Sequence, residues 1–195
     1  MNRAISITVK VATTHDSMYA KEIVTEMEAS AKLRGTGISK RSPASVIQKM
    51  EQGRVVIAIT PTGEWVGYIH LDIWANGTFV SHGGLIVSPR WRRLGVATAM
   101  KEQLFKHTRI LFPEAKIFGI TTTLATMKIN TRLGMQPVTF AEIVNETAFW
   151  DKCKSCINYD RLKATGFKNC FCTAMLFEPE EILTNPQTEK HLGTS

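Results

Sequence analysis

From Ile5 to Ala12 the chain reads Ile-Ser-Ile-Thr-Val-Lys-Val-Ala, an apolar/polar alternation of period two that predicts a first strand. His15 to Leu33 changes period: Met18, Ile23, Met27 and Leu33 fall on about one helical face, with Asp16 as N-cap and Gly35 and Gly37 at the exit. Ser42-Pro43 opens a second helix, Ser42 capping and Pro43 taking the first helical position, with Val46, Ile47 and Met50 as its apolar stripe. Gly53 ends it. Arg54–Thr60 and Glu64–Trp74 then predict two strands joined at Pro61-Thr-Gly63. Ala75-Asn-Gly77 turns into a further strand from Thr78 to Val87. Inside that strand Gly83-Gly84 predicts a bulge or a close backbone approach by a ligand.

Ser88-Pro89 breaks the strand, and a long helix follows from Arg93 to about Leu111, burying Val96, Met100, Leu104 and Leu111. Lys116–Thr122 predicts a strand and Ala125–Leu133 a short helix stopped by Gly134, after which Gln136–Ile143 is extended. Periodicity is poor from Thr147 to Asn169, and Asn169–Phe177 alternates as a last strand. The order is β α α β β β α β α β, then a cysteine-containing segment and a final β. Three successive antiparallel strands followed by βαβ units predict an α/β fold, a mixed and mostly antiparallel sheet with helices on both faces. One domain is expected over residues 1–177, with 144–177 as its cysteine-containing extension and 178–195 as a polar tail.

Composition adds a core and a charge. Apolar residues are 44% of the 195, enough for a packed interior. No apolar run approaches the ~20 residues that span a bilayer, and the start lacks the unbroken apolar stretch of a secretion signal. A cytoplasmic protein without a membrane partner is expected. A net charge of +7 suits a phosphate-bearing ligand as well as a merely solvated basic surface. Nucleic-acid binding rests on charge alone, because no Lys/Arg run and no motif supports it.

The chemistry concentrates in Leu85-Ile-Val-Ser-Pro-Arg-Trp-Arg-Arg-Leu-Gly-Val-Ala-Thr98. A strand ends, the chain turns, and a helix begins at a glycine. Helix N-termini present unpaired amides and partial positive charge, which suits a pyrophosphate. Gly95 lets the backbone approach the phosphates, Ala97 is the next smallest choice, and Arg90, Arg92 and Arg93 offer charge-assisted hydrogen bonds around them. The segment, with Arg92-x-x-Gly95-x-Ala97 at its centre, resembles motif A of the GNAT superfamily of N-acetyltransferases. The strand order resembles that fold over about residues 3 to 143.

The resemblance implies acetyl-CoA as co-substrate and an amine of a small molecule or protein as acceptor. It implies that backbone groups of Leu85, Ile86 and Val87 pair with the pantetheine arm. The amides of Arg93, Leu94, Gly95, Val96, Ala97 and Thr98 would then hold the pyrophosphate. It also implies that the strands Thr78–Val87 and Lys116–Thr122 splay to admit the thioester. The family's second motif departs here: where members carry Asn, Ala and Tyr, this chain has Thr123, Thr126 and Asn130. Asn130 can hydrogen-bond the sulfur and cannot protonate it. A non-catalytic acyl-CoA-binding or sensing module is therefore the alternative function, and a homodimer is compatible with either.

Acyl transfer to an amine needs a proton acceptor. His82 on the fourth strand is the first candidate, and His70 or Asp72 on the third are the others. Last, Cys153-Lys-Ser-Cys156 and Cys170-Phe-Cys172 form C-x-x-C and C-x-C pairs. Four thiolates at ~2.3 Å would close a structural zinc site, provided strand alternation sets Cys170 and Cys172 on one face. Small apolar core cysteines and redox-active thiols are the competing readings.

Overall fold

The fold is that of a computed structural model, which describes residues 6–35 and 39–179. Residues 180–195 of the expected tail, Gly37 of the first helix exit and Ile5 of the first strand lie outside the described residues. In chain order the elements are β1 (Thr8–Val11), α1 (Ala20–Arg34), α2 (Pro43–Glu51), β2 (Val55–Ile59), β3 (Trp65–Trp74), β4 (Phe79–Val87) and α3 (Val96–Leu111). β5 (Lys116–Thr121), α4 (Leu124–Arg132), β6 (Gln136–Val138), α5 (Thr147–Asp151), α6 (Tyr159–Ala164) and β7 (Thr173–Phe177) complete them. Among the described residues no helix is long and apolar enough to cross a membrane.

One seven-stranded sheet runs in the order β1-β2-β3-β4-β5-β7-β6. Every neighbouring pair is antiparallel except β4 and β5. β2 is apolar throughout because both its faces are covered. Val55 and Ile57 meet Ile23 and Met27 of α1 and Val46 and Met50 of α2. Val56 and Ala58, pointing the other way, meet Met100 and Leu104 of α3. A third cluster joins Trp74 and Phe118 of the sheet to Phe149, Trp150 and Leu162 of the C-terminal segment. Helices on both faces of a mixed sheet are the predicted architecture.

Local chemistry accounts for several boundaries. Ser42 Oγ accepts a hydrogen bond from the Ser45 amide at 3.2 Å, so α2 starts where the cap-and-proline pair predicts. The helix expected from His15 begins instead as a 3₁₀ turn over Thr14–Tyr19. There the buried Asp16 binds the Thr13 amide at 2.8 Å and Lys10 at 2.9 Å. The extended run expected to Ile143 stops at Val138, where Thr139 and Glu142 form a capping box around a 3₁₀ turn. Between residues 147 and 169 two short helices replace the aperiodic stretch.

Candidate active site

The site begins with a register shift. Tyr68 pairs with Ile86 and His70 with Gly83, so Gly84 and Leu85 face the single residue Ile69. This is the bulge that Gly83-Gly84 predicts. Gly84 has φ +68°, and a Cβ there would stand 2.7 Å from His70 Nδ1, so the imidazole occupies the space that the missing side chain leaves. Across the strand, parallel pairing with β5 ends at Ser81–Phe118. From His82 to Val87 the edge of β4 facing β5 has no strand partner among the described residues. A cleft opens in that splay, lined by Gly83, Gly84 and Leu85 of β4 and by Gly119 to Thr121 of β5.

At the end of β4 the chain makes a 3₁₀ turn over Pro89–Trp91, takes φ +65° at Arg93 and reaches Gly95 at φ +78° before α3 begins at Val96. No atom lies within 4 Å of a Cβ built on Gly95. The amides of Val96, Ala97 and Thr98, in the first turn of a 16-residue helix, have no partner within it. Arg93 and Leu94 are exposed beside them, and Val96 is buried.

The arginines divide in a way the spacing does not reveal. Arg92 turns inward: its Nε donates to the Val87 carbonyl at 3.0 Å, and its guanidinium meets Glu26 at 2.9 Å and Ser30 at 2.6 Å. It ties the end of β4 to α1. Its expected hydrogen bonding to phosphate is corrected accordingly. Arg90 lies over the Trp91 ring, 3.7 Å from Glu64. Arg90 and Arg93 are both exposed, and Arg92 is the member of the cluster that turns inward.

His82, the first-choice base, lies on the α3 side and is 6% exposed. The Thr108 hydroxyl donates to the Leu104 carbonyl at 2.8 Å, so it accepts from His82 Nε2 at 2.8 Å. Nδ1 of His82 is left buried without a partner. His70 faces the α1/α2 side. Its Nε2 lies 3.4 Å from Asp72 Oδ2, and its Nδ1, against the bulge, is buried and unpartnered. Burial pulls the His70 pKa down to about 4, Asp72 opposing and Arg41 adding to the shift. Burial also lowers that of His82, helped by Lys101. Both imidazoles are therefore neutral at pH 7. Asp72 meets Lys49 and, at 2.8 Å, Lys152, and is held well below the usual carboxylate range: burial raises its pKa, and His70 and the two lysines outweigh it.

Asn130 is buried, its Nδ2 3.5 Å from Met175 Sδ and its Oδ1 unpartnered. It lines the cleft beside Thr123 and Thr126, whose hydroxyls are 2.9 Å apart. Three further lining residues escape sequence reasoning: Arg41, Lys101 and Lys152. Lys101 carries a signal in retrospect, because 97, 101, 104 and 108 share one face of α3 with the buried stripe. Arg41 and Lys152 sit in segments without period.

Cys153, Cys156, Cys170 and Cys172 line one wall of the same cleft, yet zinc finds no support. Among the described residues no three His, Cys, Asp or Glu side chains gather closely enough to hold a metal ion. The reason is local. β7 starts only at Thr173, so Cys170 and Cys172 lie in irregular chain and strand alternation does not align their sulfurs. Cys153, Cys170 and Cys172 pack instead with the aromatic cluster around Trp150. Burial, then the neighbouring thiols, raises Cys153 to about 11 and Cys172 to about 12, so both stay protonated at neutral pH.

A splayed parallel strand pair, a bulge at the splay and an open helix N-terminus after it make up the site. Residues 25–111 match the model of the acetyltransferase (GNAT) family. That stretch carries the match to a GNAT-family acetyltransferase domain. No curated protein matches it in sequence. Among solved structures it is similar to N-acetylglutamate synthase from Neisseria gonorrhoeae complexed with coenzyme A and N-acetyl-glutamate (14% identity, TM-score 0.62). That match covers 91% of this chain and 36% of the synthase, so the chain spans about a third of that protein. It is also similar to a GNAT-family acetyltransferase from Staphylococcus aureus (11% identity, TM-score 0.62, 90% of this chain and 100% of that one). A third likeness is to the diaminobutyrate acetyltransferase EctA from Paenibacillus lautus, in complex with L-2,4-diaminobutyric acid and coenzyme A (13% identity, TM-score 0.60, 90% and 96% covered). At these identities the likeness establishes the fold.

Proposed function

We propose that the protein transfers an acetyl group from acetyl-CoA to an amine. The observation that carries this is the cleft, which runs through the β4–β5 splay beside the bulge and reaches neutral, unpartnered imidazole nitrogens. The amides of Val96, Ala97 and Thr98 take the pyrophosphate, and Gly95 leaves them unobstructed. The unpaired edge of Leu85–Val87 takes the pantetheine arm as a neighbouring strand would. Structural neighbours solved in complex with coenzyme A support a CoA thioester as the donor.

In this reading His70 is the base. Nε2–H points at Asp72, which orients the ring and leaves the Nδ1 lone pair beside the bulge. The amine attacks the thioester carbonyl as His70 takes its proton, and the C–S bond then breaks. Asn130 donates a hydrogen bond to the departing sulfur and supplies no proton, so the thiolate is protonated from solvent. His82, the alternative base, has the same unpartnered Nδ1 on the α3 side.

Release of CoA thiol with a panel of amines tests the reaction, and binding of acetyl-CoA by calorimetry tests the donor site. His70→Gln should lower kcat by ~10²–10⁴-fold, the usual worth of a positioned base, with the acetyl-CoA Kd unchanged. Loss of rate in His82→Ala and retention in His70→Gln would move the role to His82. Acetyl-CoA binding with no amine turned over would favour the non-catalytic acyl-CoA-binding reading.

A further inference from the structure

Arg41 stands between α1 and α2 and lines the cleft. Its guanidinium reaches over β4: Nη2 lies 3.8 Å from where a Cβ on Gly83 would be. One of its five N–H donors is committed, to the Ser39 carbonyl at 2.9 Å. Among the described residues no carboxylate lies within ion-pair distance of it. A half-buried guanidinium of this kind is costly unless an anion meets it.

The described residues of the cleft offer Arg41 no free anion. Among the described residues Asp72 is the single lining carboxylate, and Lys49, Lys152 and His70 already surround it. Arg34 and Lys152 add positive charge to the same walls. The floor beside Arg41 is glycine backbone at Gly83 and Gly84, with the His70 ring packed against both. The opposite wall is aromatic, from Trp74, Phe149 and Trp150, with Lys152 Nζ 4.2 Å over the Trp74 ring. The cavity is thus a compact cationic recess next to the reacting centre.

We infer that Arg41 anchors a carboxylate of the acceptor, so that the enzyme acetylates small amines that carry a carboxylate a few atoms from the nitrogen. The inference rests on the amine-acetylation reading above. A planar guanidinium matches a carboxylate bidentately and orients the amine toward the thioester, which a lysine cannot reproduce.

The test compares amino acids with their decarboxylated amines and their carboxamides, as acceptors for the full chain with acetyl-CoA, by CoA-thiol release. The expected result is a kcat/KM at least ~10-fold higher for the carboxylate-bearing member of each pair. Arg41→Ala and Arg41→Lys should each cut that ratio by ~10–100-fold through KM, the effect of losing a charge-assisted contact. The acetyl-CoA Kd by calorimetry, an index of folding, should stay constant. Equal turnover of both members of each pair, or an Arg41→Ala ratio equal to that of wild type, overturns the carboxylate anchor and leaves the acetyltransferase reading standing. Absence of turnover with every amine overturns the acetylation reading and the anchor that rests on it.

Discussion

Lys101 is 2% exposed on α3, beside His82, and no carboxylate pairs with it among the described residues. Burial takes its pKa down to about 7. Between pH ~7 and its ordinary value of 10.5 the unfolded chain holds one more proton than the folded one, so stability rises with pH across that window. Each pKa unit is worth about 1.4 kcal/mol. Lys101→Met should therefore stabilise the fold by several kcal/mol at pH 7, roughly 2–4 °C in Tm per kcal/mol at this size. The gain should fade toward pH 10.5. Equal melting temperatures of variant and wild type at pH 7 would refute an uncompensated lysine. His70 follows the same sign over a lower window: folded stability drops as pH falls from about 6.5 toward 4, where only the unfolded chain takes up the proton.

At the scale of elements, the bulge and the start of α3 do most of the positioning. Gly84 is the hinge of the bulge, and its φ of +68° and the ring at 2.7 Å both exclude a side chain. Gly84→Ala should destabilise by about 1–3 kcal/mol through backbone strain. By pushing the His70 ring aside it should also lower kcat more than it raises the acetyl-CoA KM. Chemical denaturation and steady-state kinetics on the same preparation read both effects. These two elements were also the most legible. Gly83-Gly84 is a bulge in the sequence as in the fold, and Gly95 stands one residue before α3, because left-handed and obstruction-free positions demand glycine. Arg92 was misread for the opposite reason. An arginine after a strand looks the same whether it meets a phosphate or reaches back to Glu26, Ser30 and the Val87 carbonyl.

Across the whole molecule, the C-terminal segment closes the sheet and the cleft together. Phe149 is the joint: its ring makes edge contacts with Trp74 at 5.3 Å, Phe118 at 5.2 Å and Trp150 at 4.8 Å. Phe149→Ala should cost about 3–5 kcal/mol, the usual range for emptying a buried aromatic site. It should also raise the acceptor KM, since the same ring lines the cleft. An unchanged denaturation midpoint would show that the segment packs independently of the sheet.

The sequence by itself determined the element order, the two-sided burial of the sheet, the glycine bulge and the glycine-led start of α3. Each is a local consequence of period, capping or the absence of a Cβ. Only the tertiary structure decided that β7 inserts between β5 and β6, because strand neighbours far apart in sequence leave no local pattern. It also decided that His70 rather than His82 faces Arg41 and Asp72, since each strand residue's face depends on what packs there. The cysteines show the limit plainly: their spacing suits a metal, and the point where β7 begins sets their sulfurs among aromatic rings instead.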